Sequence, residues 1–329
     1  MTWTRAFAFV IAIVVLSALA MGGAYMWFQG AVKAPGPLQA PVTLIIAPGT
    51  GLSGITRQLA DAGVVKQAWM AALEARRTGQ DRILKPGEYR FDPGTSIDAA
   101  LTKIVRHDVV VRFVTIPEGL ITSDIFAIID QAEGLGGQTT LRVSEGDLLP
   151  ETYRYEWNDS RDGIVGRMRA ARDTALQELW AGRAKDLPFT TPEEAVVLAS
   201  IVEKETGLAG ERARVAAVFV NRLRRGMRLQ SDPTVLFGLG KAGERGASIT
   251  TADLERPTAF NTYVIPGLPP SPICHPGRAA LAAVLNPLVS EEFYFVADGS
   301  GGHAFAATLD EHNRNVARWR QYQRQNRLR

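Results

Sequence analysis

The chain carries a single cysteine, Cys274, in 329 residues. No intramolecular disulfide can therefore staple it, and its stability has to come from a packed core. Metal-site spacing is also missing: neither H-E-x-x-H nor C-x-x-C occurs. Asp298, His303, Glu311 and His312 are ligand types, but their spacing is not that of a metal centre, so no catalytic metal and no cofactor is expected. Charge of one sign is scarce, since 37 Lys and Arg against 34 Asp and Glu leave +3. That balance gives no ground for a nucleic-acid partner. Internal repeats and low-complexity tracts are absent, which removes solenoid and linker-array readings.

What is present begins with an apolar run. From Ala6 to Phe28 there is no charged residue, which meets the ~20 residues needed to cross a bilayer. Arg5 precedes the run, and Trp3 and Trp27 sit near its two ends, where aromatic rings favour the membrane interface. The expectation is a cytoplasmic N-terminus over 1–5 and a transmembrane helix over 6–28. A cleavable signal peptide is the rival, because Ala18-Leu19-Ala20 has the small-x-small form of a cleavage site. Residues 29–41, with Pro35, Pro37 and Pro41, read as an extended spacer.

Beyond it the pattern is α+β, in two parts. Residues 42–116 read as a small unit of strand, PGTGL turn, helix, helix and strand, followed by a further helix and strand. Residues 117–329 read as a larger mixed unit, opening on TIPEG and including the segment Leu149 to Tyr153.

The most telling stretch is LASIVEKETG, Leu198 to Gly207. Thr191 reads as a helix N-cap, Pro192 suits the first turn, and Glu194 completes a capping box. Ala195 to Val202 is apolar except for Ser200, so this helix belongs in a core. Gly207 reads as its stop. Glu203 and Glu205 fall in the last turn, where unpaired carbonyls disfavour a second negative charge and raise a carboxyl pKa. At about 100° per residue the two point roughly 200° apart, so at most one faces a given cleft. From spacing alone, both stand equally well as ordinary helix-end carboxylates paired with nearby arginines.

Four motifs in order add to this reading: LASIVEKETG, then ERARVAAVFVNRLRRGMRLQSDPTV, then NTYVIPGLPPSPI, then FYFVADGSGGHAFAATLDEHNRNVARW. Together they resemble the YceG-like endolytic murein transglycosylases, the MltG family. The resemblance implies a single-pass inner-membrane protein whose periplasmic domain cuts the MurNAc-β-1,4-GlcNAc bonds of nascent peptidoglycan glycan strands. The expected products are 1,6-anhydroMurNAc ends, and the expected role is termination of strand elongation. It further implies a LysM-like subdomain over 42–116, read as binding N-acetylglucosamine polymers or as positioning the catalytic domain, and association with polymerases such as bifunctional penicillin-binding proteins.

The resemblance makes Glu205, the second glutamate of EKE, the catalytic residue. It also places the loop of Gln230, Ser231 and Asp232 beside it. Those three, with Asn261, Tyr263 and His303, are the expected substrate-binding residues, and Asp232 before Pro233 is alternatively a turn initiator. Two positions depart from the family pattern: Phe260 stands where tyrosine is common, and His275 where asparagine precedes Pro-Gly. His275 is expected in a surface turn, with pH sensitivity near neutral as the alternative. Three other readings stay open: a hydrolytic muramidase using the same glutamate, a membrane-anchored scaffold that binds peptidoglycan without cutting it, and a metal hydrolase.

Overall fold

The computed structural model describes residues 2–244 and 246–327. Met1 and Leu328–Arg329, which open and close the expected segments, lie outside the described residues. The chain divides into two compact units, one running to Arg112 and including Glu156–Asn158, the other formed by Phe113–Tyr155 and the chain from Asp159 onward. The division thus falls at Arg112, a few residues before the expected boundary at 116.

The first unit begins with α1 (Thr2–Lys33), followed by β1 (Val42–Ile46), α2 (Leu52–Asp61), α3 (Ala68–Arg77), β2 (Gly87–Phe91) and α4 (Ile97–Arg106). β1 and β2 pair antiparallel, from Val42 opposite Phe91 to Ile46 opposite Gly87. Alternating side chains on these strands send Ile46, Tyr89 and Phe91 inward, where they meet Ile55, Leu59, Leu101 and Ile104 from the helices. Ser96 starts α4 by accepting a hydrogen bond from Ala99 N at 3.2 Å, and His107 ends it in the left-handed conformation.

Of the described helices, one is long and apolar enough to cross a membrane, over Ala6–Lys33. Its last turn is not free. Phe28 and Val32, four residues apart on one helix face, are buried in the small unit's core at 8% and 1% exposure. The expected spacer over 29–41 is therefore corrected: α1 continues helical to Lys33, and the prolines that follow are tied down rather than extended. Gly36 N donates to Gly94 O at 3.3 Å and Gly94 N to Leu38 O at 3.0 Å. A Cβ on Gly36 would stand 2.3 Å from Thr95 O.

The second unit contains β3 (Arg112–Thr115), α5 (Thr122–Gln131), β4 (Thr152–Tyr155), α6 (Arg161–Ala181), α7 (Pro192–Glu205), α8 (Arg212–Arg224), α9 (Asp232–Gly238), α10 (Thr251–Glu255), α11 (Arg278–Leu285), β5 (Tyr294–Ala297), β6 (His303–Ala306) and α12 (Leu309–Arg327). β3 pairs with β4 and β5 with β6, each in a two-stranded sheet.

α7 is the axis of this unit. Ala195 through Val202 are all buried, and α6, α8 and α11 pack around them. Thr191 Oγ1 accepts from Glu194 N at 3.2 Å while Glu194 Oε2 accepts from Thr191 N at 3.0 Å, completing the capping box. Glu205 is the last helical residue and Thr206 is extended, so the stop comes one residue before Gly207. Ser200, the polar residue in the apolar run, donates to Val197 O at 2.7 Å and accepts from Ile273 N at 3.0 Å. It thereby fastens α7 to the segment leading into His275.

His275 is a correction. It is not in a surface turn but fully buried. Leu148 N donates to its Nδ1 at 3.1 Å, so the ring hydrogen sits on Nε2, 2.9 Å from Thr122 Oγ1. Burial holds its pKa down at about 4, so the imidazole is neutral near pH 7 and supplies no switch there.

Because α7 carries the candidate catalytic carboxyl, its cap has a measurable weight. Thr191→Ala should lower unfolding free energy by about 1 kcal/mol, read as a lower urea midpoint at unchanged slope.

Candidate active site

Glu205 is half-buried at the C-terminal end of α7. Ser231 Oγ donates to its Oε1 at 2.5 Å. Ser231 is itself only 1% exposed, and a chain of hydroxyls fixes it. Its N–H donates to Thr262 Oγ1 at 3.0 Å, and Thr234 Oγ1 donates to its carbonyl at 2.6 Å. The Thr234 hydrogen being spent there, Thr262 donates to Thr234 across their 2.8 Å contact. The Ser231 hydroxyl is thus placed by its backbone, with its hydrogen directed to the carboxyl.

The preceding residue, Gln230, is left-handed at φ 52, a conformation non-glycine residues adopt at a cost. Gln230 N donates to Thr262 O at 3.1 Å, and this kink turns the chain so that Ser231 faces α7. The loop is shorter than expected. Asp232 opens α9 rather than a simple turn, and its exposed carboxylate accepts from Tyr263 Oη at 2.6 Å.

His303, the first residue of β6, comes to the same place from the other end of the unit. Glu211, at the N-cap position of α8, holds it twice: Oε1 accepts from His303 N at 3.0 Å and Oε2 meets Nδ1 at 2.8 Å. The turn between β5 and β6 that delivers His303 needs glycine at 299 and 301, where φ is 91 and 98.

Arg222 completes the surroundings. Buried at 8% exposure, it donates to the carbonyls of Phe293 at 2.6 Å and Leu229 at 2.8 Å and to Gln230 Oε1 at 3.3 Å. Its guanidinium lies over the Tyr294 ring, 5.3 Å from the centroid.

These neighbours act on one proton. Burial is the main reason the Glu205 pKa rises, reaching about 7; the Ser231 hydrogen bond opposes it, Asp232 adds to it, and His303 and Arg222 oppose it. The helix terminus was the expected cause, but burial dominates. A carboxyl near 7 is populated in both forms at neutral pH, as an acid that later acts as base requires.

Glu203 points elsewhere, as the helical spacing requires. Its Oε2 accepts from Gly277 N at 2.9 Å, and burial raises its pKa as well. A Cβ on Gly277 would fall 1.7 Å from Glu118 Oε1, so this is a packed joint between TIPEG, α7 and the Cys274–Gly277 segment.

The expected site residues therefore divide. Ser231 bonds Glu205 directly, Asp232, Tyr263 and His303 lie within electrostatic reach of it, and Gln230 joins them through Arg222. Asn261 does not reach a cleft: it is fully buried, and its amide donates to Asp253 O, Leu254 O and Arg256 O at 3.3, 3.0 and 2.8 Å. Its Oδ1 accepts from Tyr263 N at 2.9 Å, so it positions Tyr263 instead of holding a sugar. Phe260 meets Phe237 edge to face with centroids 4.8 Å apart, a packing role in which a hydroxyl has no part.

Arg222, Glu211 and Thr234 were not foreseen. Arg222 is one of several arginines at the end of α8 with no local pattern to single it out, and Glu211 opens the same helix. Among the described residues no group of three or more His, Cys, Asp and Glu converges as a metal site would.

The family described as YceG-like matches residues 44–318. An endolytic murein transglycosylase of Streptococcus pneumoniae strain D39 is 29% identical over 94% of this chain and 65% of its own length. This chain thus spans slightly less than two thirds of that relative. The endolytic murein transglycosylase of Bacillus subtilis is 26% identical, over 90% of each protein. The crystal structure of a YceG-like protein from Listeria monocytogenes matches with a TM-score of 0.52 at 28% identity, covering 83% of this chain and 98% of that one.

A raised carboxyl pKa also fixes a sign for stability. Between the unfolded value near 4.5 and the folded value near 7 the native state binds more protons, so stability falls as pH rises through that window. Glu205→Gln should therefore match the parent below pH 4.5 and exceed it above pH 7, by about 1–3 kcal/mol, measured by denaturation at pH 4 and pH 8.

Proposed function

The chain belongs to the YceG-like family, and on that footing we propose that it is an endolytic lytic transglycosylase of peptidoglycan, with Glu205 as both its acid and its base. The observation that carries this reading is a single half-buried carboxyl with a pKa of about 7, hydrogen-bonded by a backbone-fixed serine. With Ser231 bound to Oε1, the proton of the acid form sits on Oε2. From there it passes to the oxygen of the MurNAc-β-1,4-GlcNAc bond as an oxocarbenium-like state develops. The carboxylate left behind, steadied by Ser231 and by the charge of Arg222, then removes the proton from the C6 hydroxyl of the same muramoyl ring. That oxygen attacks C1 and closes a 1,6-anhydro end. The nucleophile belongs to the substrate, so neither a second catalytic carboxylate nor an ordered water is needed. Proton transfer of this kind contributes roughly 10²- to 10⁴-fold.

In this reading Gln230, Asp232, Tyr263 and His303 contact the glycan, Tyr263 being oriented by Asn261 and His303 by Glu211. The substrate is nascent glycan strands, and internal cutting terminates their elongation next to polymerases such as penicillin-binding proteins. Residues 42–116 act as a LysM-like module, supported by the order β1, α2, α3, β2 around an antiparallel pair. Residues 117–329 form the catalytic domain. α1 anchors the chain in the inner membrane with the remainder periplasmic. Its unbroken course past Ala20 to the point where Phe28 and Val32 enter the small unit's core supports an anchor over a cleaved signal.

A second reading keeps a hydrolytic muramidase in view, because the Asp232 charge reaches Glu205 and a carboxylate pair is what hydrolysis uses. Product ends decide between them. Full-length protein incubated with uncrosslinked glycan strands should yield internal cuts with anhydro-muramoyl ends, one water lighter than reducing ends in mass spectrometry. Glu205→Gln should yield none while remaining folded. Reducing ends would mean hydrolysis, and intact strands that still bind would mean a scaffold.

The pH profile gives an independent check. Since the acid form starts the reaction, kcat/KM should fall as pH rises through about 7. Ser231→Ala removes a bond that favours the anion, so it should move that limb to higher pH while lowering the maximal rate. An unmoved limb would detach Ser231 from the titrating group.

A further inference from the structure

We propose that the segment from Arg76 to Lys85, at the end of α3, docks on anionic lipid headgroups around the anchor helix. The inference rests on reading α1 as membrane-spanning. Counted from Ala6, the ~20 residues that fill a bilayer core end at about Tyr25. Tyr25 and Trp27 follow at 55% and 64% exposure, the position of an interfacial aromatic belt.

α3 runs alongside this part of α1 in the opposite direction. At its start, Gln67 and Met70 line a groove with Ala31 and Ala34. At its end, Arg77 reaches Gln29. With the amide turned so that its oxygen faces α3, Gln29 accepts from Arg77 Nε and Nη2 at 3.2 and 3.3 Å. Tyr25 is also near enough to act on the Arg77 charge. The C-terminal end of α3 therefore points toward the bilayer and arrives at the level where the hydrocarbon gives way to headgroups.

The chemistry of what lies there is cationic with an apolar tip. Arg77 is matched by Glu74 at 2.6 Å. Among the described residues Arg76, Arg82 and Lys85 have no carboxylate partner, and all three are exposed. Asp81 is the one acid from 76 to 85, which leaves the segment at +2 beyond the Arg77–Glu74 pair. Ile83, between Arg82 and Lys85, is 51% exposed. Unpaired cations beside an exposed aliphatic side chain suit a surface of anionic headgroups over acyl chains. A second contact of this kind would hold the small unit against the membrane in one orientation, instead of leaving it free to tilt with α1.

The test uses the full chain in proteoliposomes. Cys274 is buried and its thiol pKa is pushed up by burial, so an introduced cysteine labels selectively. A bimane probe at Ile83→Cys should be quenched by headgroup spin-labelled lipid in vesicles of phosphatidylcholine with phosphatidylglycerol. The quenching should weaken in phosphatidylcholine alone and be lost in the Arg76→Gln/Arg82→Gln/Lys85→Gln variant. A probe at Leu16→Cys with acyl-chain spin labels reports the anchor separately. Quenching at 16 with none at 83 would overturn the docking surface and leave the anchor standing. Equal quenching at 83 in both lipids, or in the triple variant, would overturn recognition of anionic headgroups. No quenching at 16 would overturn the anchor and the docking surface with it.

Discussion

The hydrogen bond from Ser231 to Glu205 is the contact on which the site depends, because it joins a residue fixed by α7 to one fixed by the loop before α9. Each side is over-determined. α7 is locked by its capping box and by eight consecutive buried residues, and Ser231 by Thr234, Thr262 and the left-handed Gln230. A carboxyl with this much burial would stay protonated through the neutral range if nothing opposed desolvation. The serine hydroxyl, and the more distant Arg222 and His303, oppose it, and the balance sets the proton affinity where both forms are available.

The rest of the second unit follows from holding those two pieces together. Ser200, otherwise out of place in an apolar run, satisfies Ile273 N and so ties α7 to the segment carrying His275 and Gly277. His275 is kept neutral and donates on one side only, while Leu148 N occupies its other nitrogen. Glu203 closes the same joint through Gly277. The two glutamates of one motif therefore do different work: Glu203 braces the helix end and Glu205 faces the site. The cost of keeping two carboxyls half-buried in one helical turn is carried by the apolar packing of α7 against α6, α8 and α11.

The first unit is organised by a different constraint, which is that a membrane-length helix must end in something. α1 does not hand over to a loose spacer; Phe28 and Val32 make its last turn part of a folded core. Any orientation that the helix takes in a bilayer is then passed directly to β1, β2 and the helices around them.

Much of this was legible in the sequence, for a physical reason. Capping and apolar runs act within a few residues, so the start of α7, its burial and the apolar run of α1 could be read locally, as could the opposed directions of Glu203 and Glu205, whereas the continuation of α1 to Lys33 could not. Resemblance to a family added Glu205 and the Gln230–Asp232 loop, but not their geometry. What tertiary structure decided was partnership across long separations. Thr122 meets His275 across 153 residues, Glu211 meets His303 across 92, and Ser231 meets Glu205 across 26. Asn261 looked like a sugar ligand until three backbone carbonyls claimed its amide, and Arg222, which nothing near it in sequence singles out, is held by the carbonyls of Leu229 and Phe293. A side chain's local spelling fixes what it is able to bond, whereas which groups come within about 3 Å of it is settled only when the core closes.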